Sequence, residues 1–223
     1  MELDEVMRTT FACREWTDED VSDETVYDIL DLARFAPNGG NRQGWRVIVL
    51  RDRELRSALV PLARPTTNQY AAQVAAGEAP WNTVVPSALD LAAERTVDRP
   101  FPGLDAMVDA PVVLVVTVDL AVVASFDSEL ERVGVISGAS IYPFVWNILM
   151  AARSRGLGGV LTTYLAGCES AVQDLLGIPA QHAVAALVPI GHPVRQLTRL
   201  RRLAVEEFTT VDHFDGAPFT SGQ

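Results

Sequence analysis

Arginine is the residue type whose placement in this 223-residue chain first suggests chemistry. Arg8 and Arg14 lie near the N-terminus, and Arg195, Arg199, Arg201 and Arg202 lie in a tail, in a protein otherwise rich in acid. Each could be a solvated surface charge, the usual fate of arginine. Two or more guanidinium groups brought together also match a phosphate monoester, because each offers a planar fork of donors to the phosphate oxygens.

Two glycine-rich stretches are the next features that could touch a ligand. FAPNGGNRQGW, Phe35 to Trp45, has one proline, three glycines and two asparagines. Asn38, Gly39 and Gly40 suit positive φ, so the stretch can be a turn, or it can bare backbone against something flat or charged. GLGGV, from Gly156, runs helix, glycines, strand. A dinucleotide fingerprint runs strand, glycine turn, helix, so neither stretch is a phosphate loop at a helix N-terminus. GLGGV reads as a helix stop leading into a strand, VLTTY, whose backbone donors could face a ligand.

Composition removes several classes. All 18 basic residues are arginine, and no lysine is present. This excludes the GK[ST] phosphate loop, a pyridoxal Schiff base and Tyr-Lys hydride chemistry. The net charge of −11 disfavours nucleic acid and anionic membranes as partners. The histidines His182, His192 and His213 are too scattered for a metal site, and Cys13 and Cys168 have no CxxC spacing. No GxSxG marks a serine nucleophile. The longest apolar run, PVVLVVTVDLAVVA, is broken by Asp119 and falls short of the ~18 residues of a membrane span. With no charged-then-apolar leader before Leu3, the expected compartment is the cytoplasm.

The elements that must position these residues follow from periodicity. SDETVYDILDLARFAP predicts a helix capped by Ser22 and ended near Pro37, with Val26, Ile29, Leu30 and Ala33 on one face. WRVIVL is a strand, and RDRELRSALVPLA a helix. Residues 64–103 predict helical excursions, either a lid or an extra helical layer away from any site. PVVLVVTVD, apolar on both faces, is a central covered strand. ISGASIYPFVWNILMAARSR is one long helix that Pro143 could bend, VLTTY a strand, CESAVQDLLG a short helix and HAVAALVPIG a buried strand. This order implies a sheet covered by helices, in a single domain over 1–223 with a tail from about 195.

Together these motifs resemble the nitroreductase superfamily of FMN-dependent oxidoreductases. The family opens R-R-S-x-R-x-[FY]-[ST], then has a helix ending A-P-S-x-x-N-x-Q-P-W and a strand. Here RTTFACREWTDEDVSDETVYDILDLARFAPNGGNRQGWRVIVLRD takes that place, and DAPVVLVV, NILMAARSRGLGGVLTTYL, ALVPIGHPV and RRLAVEEFTTVD follow in family order. The resemblance covers nearly the whole chain and is weakest between residues 64 and 103. It implies an α+β fold of three layers, a central mixed sheet flanked by helices, in an intertwined homodimer whose tails embrace the partner.

The resemblance also implies roles. Arg14 corresponds to the basic residue near the flavin pyrimidine, where it would stabilise the charge of the reduced ring. Pro37, Asn38, Gly39, Gly40 and Asn41 correspond to a loop along the ring, reaching across from the other subunit. Thr162, Thr163 and Tyr164 correspond to the segment whose backbone faces the flavin edge. Arg201 and Arg202 correspond to the phosphate-binding tail. The chain departs from the pattern at Thr10 and Ala12, where the family has its first arginine and its serine, and Arg8 or Thr9 could substitute. Ala106 or Met107 replaces a basic residue, Asn38 a serine and Gly44 a proline.

The implied activity is ping-pong transfer of hydride from NADH or NADPH, through FMN, to small electrophilic acceptors such as nitroaromatics or quinones. No protein acid or base is obligatory. Trp81, Phe101, Tyr142 and Trp146 are either pocket walls or ordinary packing. Two other activities fit the same residues. One is a specialised dehydrogenase or dehalogenase of a single metabolite, with residues 64–103 setting specificity. The other is a flavin-binding protein with little turnover, suggested by Thr10 and Ala12.

Overall fold

The computed structural model describes residues 1–221. The elements in chain order are α1 (Leu3–Thr9), α2 (Asp23–Ala33), β1 (Trp45–Val49), α3 (Arg53–Ala75), α4 (Leu91–Thr96), α5 (Pro102–Val108), β2 (Val112–Asp119), α6 (Tyr142–Ser154), β3 (Gly158–Gly159), α7 (Glu169–Leu176) and β4 (His182–Gly191).

One four-stranded sheet, ordered β1-β2-β4-β3, carries helices on both faces. β2 explains why. Val112, Leu114, Val116 and Val118 project into a core with α2 and α6, while Val113 and Val115 project into a second core with α3, α5 and α7. Residues of alternate parity line opposite faces, so a strand apolar throughout must be covered twice. Each such valine or leucine contributes about 1.5–3 kcal/mol by leaving water. On the first face Trp45 stacks on Phe144 with ring centroids 4.7 Å apart. The three strand ladders are antiparallel, so the sheet is antiparallel where a mixed one was expected; the parallel pairing, Ala12 with Gly159, is an isolated bridge at its β3 edge.

Helix α2 forms where periodicity places it, with Ser22 Oγ accepting from the Thr25 N–H at 3.1 Å. Three elements differ from expectation. α3 runs through Pro61 and Pro65 to Ala75, well past the expected end. Each proline removes an internal hydrogen bond, but Leu59 and Ala63 are held in the core, and Thr66 through Gln69, Ala72 and Gln73 are buried. α6 starts at Tyr142, after a 3₁₀ turn over Ile136–Ser140. Pro143 therefore sits in the first turn, where a missing N–H costs nothing, and does not bend the helix.

VLTTY is not a strand. Gly156, at φ +79°, stops α6, and Gly158–Gly159 form the short edge strand β3. A Cβ on Gly159 would lie 2.8 Å from the Pro189 carbonyl oxygen, so only glycine allows this approach. Thr162 keeps one bridge to Leu187, and Tyr164–Cys168 then turn away from the sheet as a 3₁₀ helix.

Candidate functional site

The two chain ends meet along the β3 edge. The Cys13 N–H donates to the Gly159 carbonyl at 3.0 Å, and Trp16 Nε1 to the Gly158 carbonyl at 2.8 Å. The incoming tail pairs with this segment. The Val194 N–H donates to the Glu15 carbonyl at 3.2 Å, and Gln196 Nε2 to the Thr9 carbonyl at 3.0 Å. The tail thus runs antiparallel to residues 8–16, and arginines nearly two hundred residues apart in sequence are brought together.

Two concavities result. Ala12, Cys13, Arg14 and Arg195 line a groove of about 230 Å³. Arg8, Arg199 and Arg202, with Asp4 and Thr198, line a cleft of about 540 Å³. Arg202 is thus in the cleft with Arg8, while Arg201 is not among the lining residues and lends its carbonyl to Arg202 Nη1 at 2.8 Å. Three guanidinium groups with a single carboxylate, Asp4, make this cleft attractive to anions.

A third cavity, of about 440 Å³, lies beside Arg14. Thr66, Tyr70, Pro80, Trp81, Thr163, Tyr164, Ala166 and Gly167 line it. Phe101 closes the aromatic group from behind, edge-on to Tyr164 at 5.2 Å and to Tyr70 at 5.9 Å. Arg14 reaches this corner: its Cδ is 3.8 Å from where a Cβ on Gly103 would stand. Burial pushes the Tyr164 phenol above its ordinary value, against the pull of Arg14, so at neutral pH it is an uncharged donor. Gly167 brings the turn against α3 so closely that a Cβ there would sit 2.3 Å from Thr66 Oγ1.

The sequence-derived candidates divide. Thr163, Tyr164 and Trp81 line the cavity, Phe101 packs edge-on against Tyr164, Arg14 lines the groove with Arg195, and Arg8 and Arg202 line the cleft. Thr162 lies buried beneath, its hydroxyl 3.3 Å from the Leu187 carbonyl. Pro37, Asn38, Gly39, Gly40 and Asn41 line none of these concavities. Their loop is shaped internally: Gly40 is at φ +63° and Asn41 at +53°, and Asn38 Oδ1 accepts from the Gln43 N–H at 2.9 Å. Tyr142 and Trp146 lie a turn apart on the outer side of α6, each about 40% exposed, and also line none of them. Sequence reasoning missed Thr66, Tyr70 and Thr198, and singled out Arg199 only as one of the arginines that could meet a phosphate. The signal for Thr66 and Tyr70 was their i, i+4 spacing, hidden by the prolines that seemed to end α3.

Among the described residues, no group of three or more His, Cys, Asp or Glu side chains could hold a metal ion, and no helix is long and apolar enough to cross a membrane.

An antiparallel sheet between two helical layers, with arginines of both chain ends brought together along its β3 edge, defines an α+β fold. Within that class the chain belongs to the Nitroreductase family, whose model matches residues 7–192. It is 28% identical to the nitrobenzene nitroreductase of Ectopseudomonas oleovorans, over 95% of this chain and 97% of that one. It is 27% identical to the NADH dehydrogenase of Thermus thermophilus, over 86% and 87%. A nitroreductase from Desulfitobacterium hafniense with bound FMN has the same fold, with TM-score 0.61 and 21% identity over 95% of this chain and 100% of that one.

Proposed function

We propose that the protein is an FMN-dependent NAD(P)H oxidoreductase, acting as a homodimer on small electron-poor acceptors such as nitroaromatics or quinones. The observation that carries this reading is the antiparallel pairing of the tail with residues 8–16, which gathers Arg8, Arg199 and Arg202 in one cleft and Arg14 and Arg195 in a groove. Those residues fit the cofactor's two ends. Arg8, Arg199 and Arg202 supply bidentate donors for a phosphate, and they stand in for the family arginine and serine replaced by Thr10 and Ala12. Arg14 lies where a flat ring would meet the aromatic corner. Family membership and the nitroreductase and dehydrogenase relatives support the same reading.

FMN, held at its phosphate by Arg8, Arg199 and Arg202 and beside its ring by Arg14, would supply ping-pong hydride transfer between NADH or NADPH and the acceptor. The chain's own contribution is positional and electrostatic. Arg14 stabilises negative charge at the ring. Thr163 and Tyr164 present polar groups beside it, and Trp81, Phe101 and Tyr70 exclude water and hold a flat acceptor. No side chain is required to move a proton.

Reconstitution with FMN tests the proposal. The expected product is yellow protein that NADH or NADPH bleaches under anaerobic conditions. Protein that takes up no FMN sinks the cofactor assignment, and yellow protein that neither nucleotide bleaches sinks the oxidoreductase assignment. Arg14→Ala is expected to slow bleaching at least about tenfold.

A further inference from the structure

The segment between α3 and α5 is fastened by polar groups instead of an apolar core. Gln69 and Gln73, one turn apart on α3, are almost wholly buried. Gln73 Oε1 accepts from the Trp81 N–H at 3.2 Å and from Gln69 Nε2 at 3.3 Å. Gln73 Nε2 donates to Glu78 Oε2 at 3.2 Å. The same carboxylate accepts from Ser87 Oγ at 2.6 Å and the Ala88 N–H at 2.8 Å, closing residues 78–88 into a loop. Arg95 Nε donates to Gln69 Oε1 at 2.7 Å, and its guanidinium lies over the Trp81 ring, 5.4 Å from the centroid.

This network acts on one residue. Trp81 is at φ +57°, a strained conformation that bulky side chains rarely adopt. Surrounding structure must impose it. Gln73 fixes its backbone and Arg95 its ring, so the indole stands as one wall of the 440 Å³ cavity. That volume is near the lower end of small-molecule sites. Buried, mutually satisfied polar networks specify one geometry in a way that apolar packing does not.

We infer that Trp81 is the specificity-determining residue of this cavity, and that Gln69, Gln73, Glu78 and Arg95 form a positioning device that holds its indole as the wall limiting how wide a flat ring the cavity takes. The inference deepens the proposed function and rests on the cavity being its acceptor site. If the wall is released or shortened, the cavity widens only on the Trp81 side, because Tyr70, Tyr164 and Phe101 are held by one another.

The test compares nitrobenzene with 1-nitronaphthalene. Kd for each is measured by calorimetry on the FMN-loaded protein without nucleotide, so that binding is read apart from turnover, and kcat/KM for each is measured with NADH. Trp81→Ala is expected to shift the Kd ratio towards the naphthalene by about tenfold or more, and Trp81→Phe by a smaller factor. Gln73→Leu, which keeps the tryptophan but releases its backbone, should shift it the same way. An unchanged ratio in both Trp81 variants overturns the specificity role. A Gln73→Leu protein that melts earlier with an unchanged ratio overturns the positioning role. Failure of NADH to bleach the wild type, with the Kd ratio shifting as expected, sinks the oxidoreductase reading and leaves the specificity role standing.

Discussion

Arg153, buried on α6, donates from Nε to Thr9 Oγ1 at 2.9 Å, and no carboxylate among the described residues lies within ion-pair distance of it. Thr9 is the last residue of α1 and the neighbour of Arg8. Its hydroxyl also donates to the Glu5 carbonyl at 2.6 Å, and its carbonyl accepts from Gln196 at 3.0 Å. One threonine therefore ties the long helix, the N-terminal helix and the tail, and so sets Arg8 opposite Arg199 and Arg202.

Thr9→Val, which keeps the shape and removes the hydroxyl, should leave the Arg153 guanidinium short of a buried acceptor and destabilise the fold by about 1–3 kcal/mol. Denaturant unfolding of the two proteins measures this. FMN affinity should fall as well, because Arg8 loses its anchor. A midpoint and an FMN titration both matching wild type would remove Thr9 from this role.

Arginines inside and outside the cleft should separate. Arg8→Ala and Arg202→Ala each remove a charge-assisted donor worth about 1.5–3 kcal/mol, so FMN binding should weaken by roughly tenfold to a hundredfold. Arg201→Ala should change it far less. Fluorescence titration of FMN at several salt concentrations is the measurement, and equal effects at 201 and 202 would place the phosphate elsewhere.

Gly167→Ala forces a Cβ to within 2.3 Å of Thr66 Oγ1, on a buried, β-branched side chain with little room to yield. The expected cost is about 1–3 kcal/mol, the range of overpacking. Thr66→Ala in the same chain should recover most of it, giving a coupling energy in a double-mutant cycle. Additive costs would show that the two residues do not meet in solution.

The Glu78 loop should open in acid. Its carboxyl lies below the ordinary glutamate value, chiefly because Ser87 donates to it, then because of the Ala88 N–H. A depressed folded value contributes stability that is complete above the unfolded value of about 4.3 and is lost as pH falls through the lower folded value. Hydrogen-exchange protection factors of residues 78–88, corrected for the intrinsic pH dependence of amide exchange, should therefore be unchanged from pH 8 to about 5 and fall below about 4. Glu78→Gln should abolish this pH dependence, and persistence of the dependence in that variant would point to another group.

Much of the layered architecture is legible in order along the chain. The 3.6-residue stripe of α2, its Ser22 cap, the doubly apolar β2 and the glycine stop of α6 depend on neighbours a few residues apart, and local sterics and periodicity decide them. α3 is the instructive exception. Pro61 and Pro65 argue locally for an end, and burial of Thr66, Gln69 and Gln73 beneath α4 and the 164–168 turn overrides them. VLTTY fails for a similar reason: its strand pattern is real, but Gly167 docking on Thr66 draws the chain off the sheet edge.

The sequence by itself determined which chemistries were possible. Eighteen arginines without lysine removed the lysine-dependent chemistries, and the resemblance to the nitroreductase superfamily implied phosphate and flat-ring recognition. Only the tertiary structure decided which arginines lie together, setting Arg8 with Arg199 and Arg202, and Arg14 with Arg195, and leaving Arg201 out of both linings. It also decided that Trp81, from a segment without clear periodicity, stands at the cavity wall while Tyr142 and Trp146 do not. The physical reason is common to both. These placements rest on hydrogen bonds such as Gln196 to Thr9 and the Trp81 N–H to Gln73, whose partners no local rule connects and which form only when the packed layers bring distant segments together.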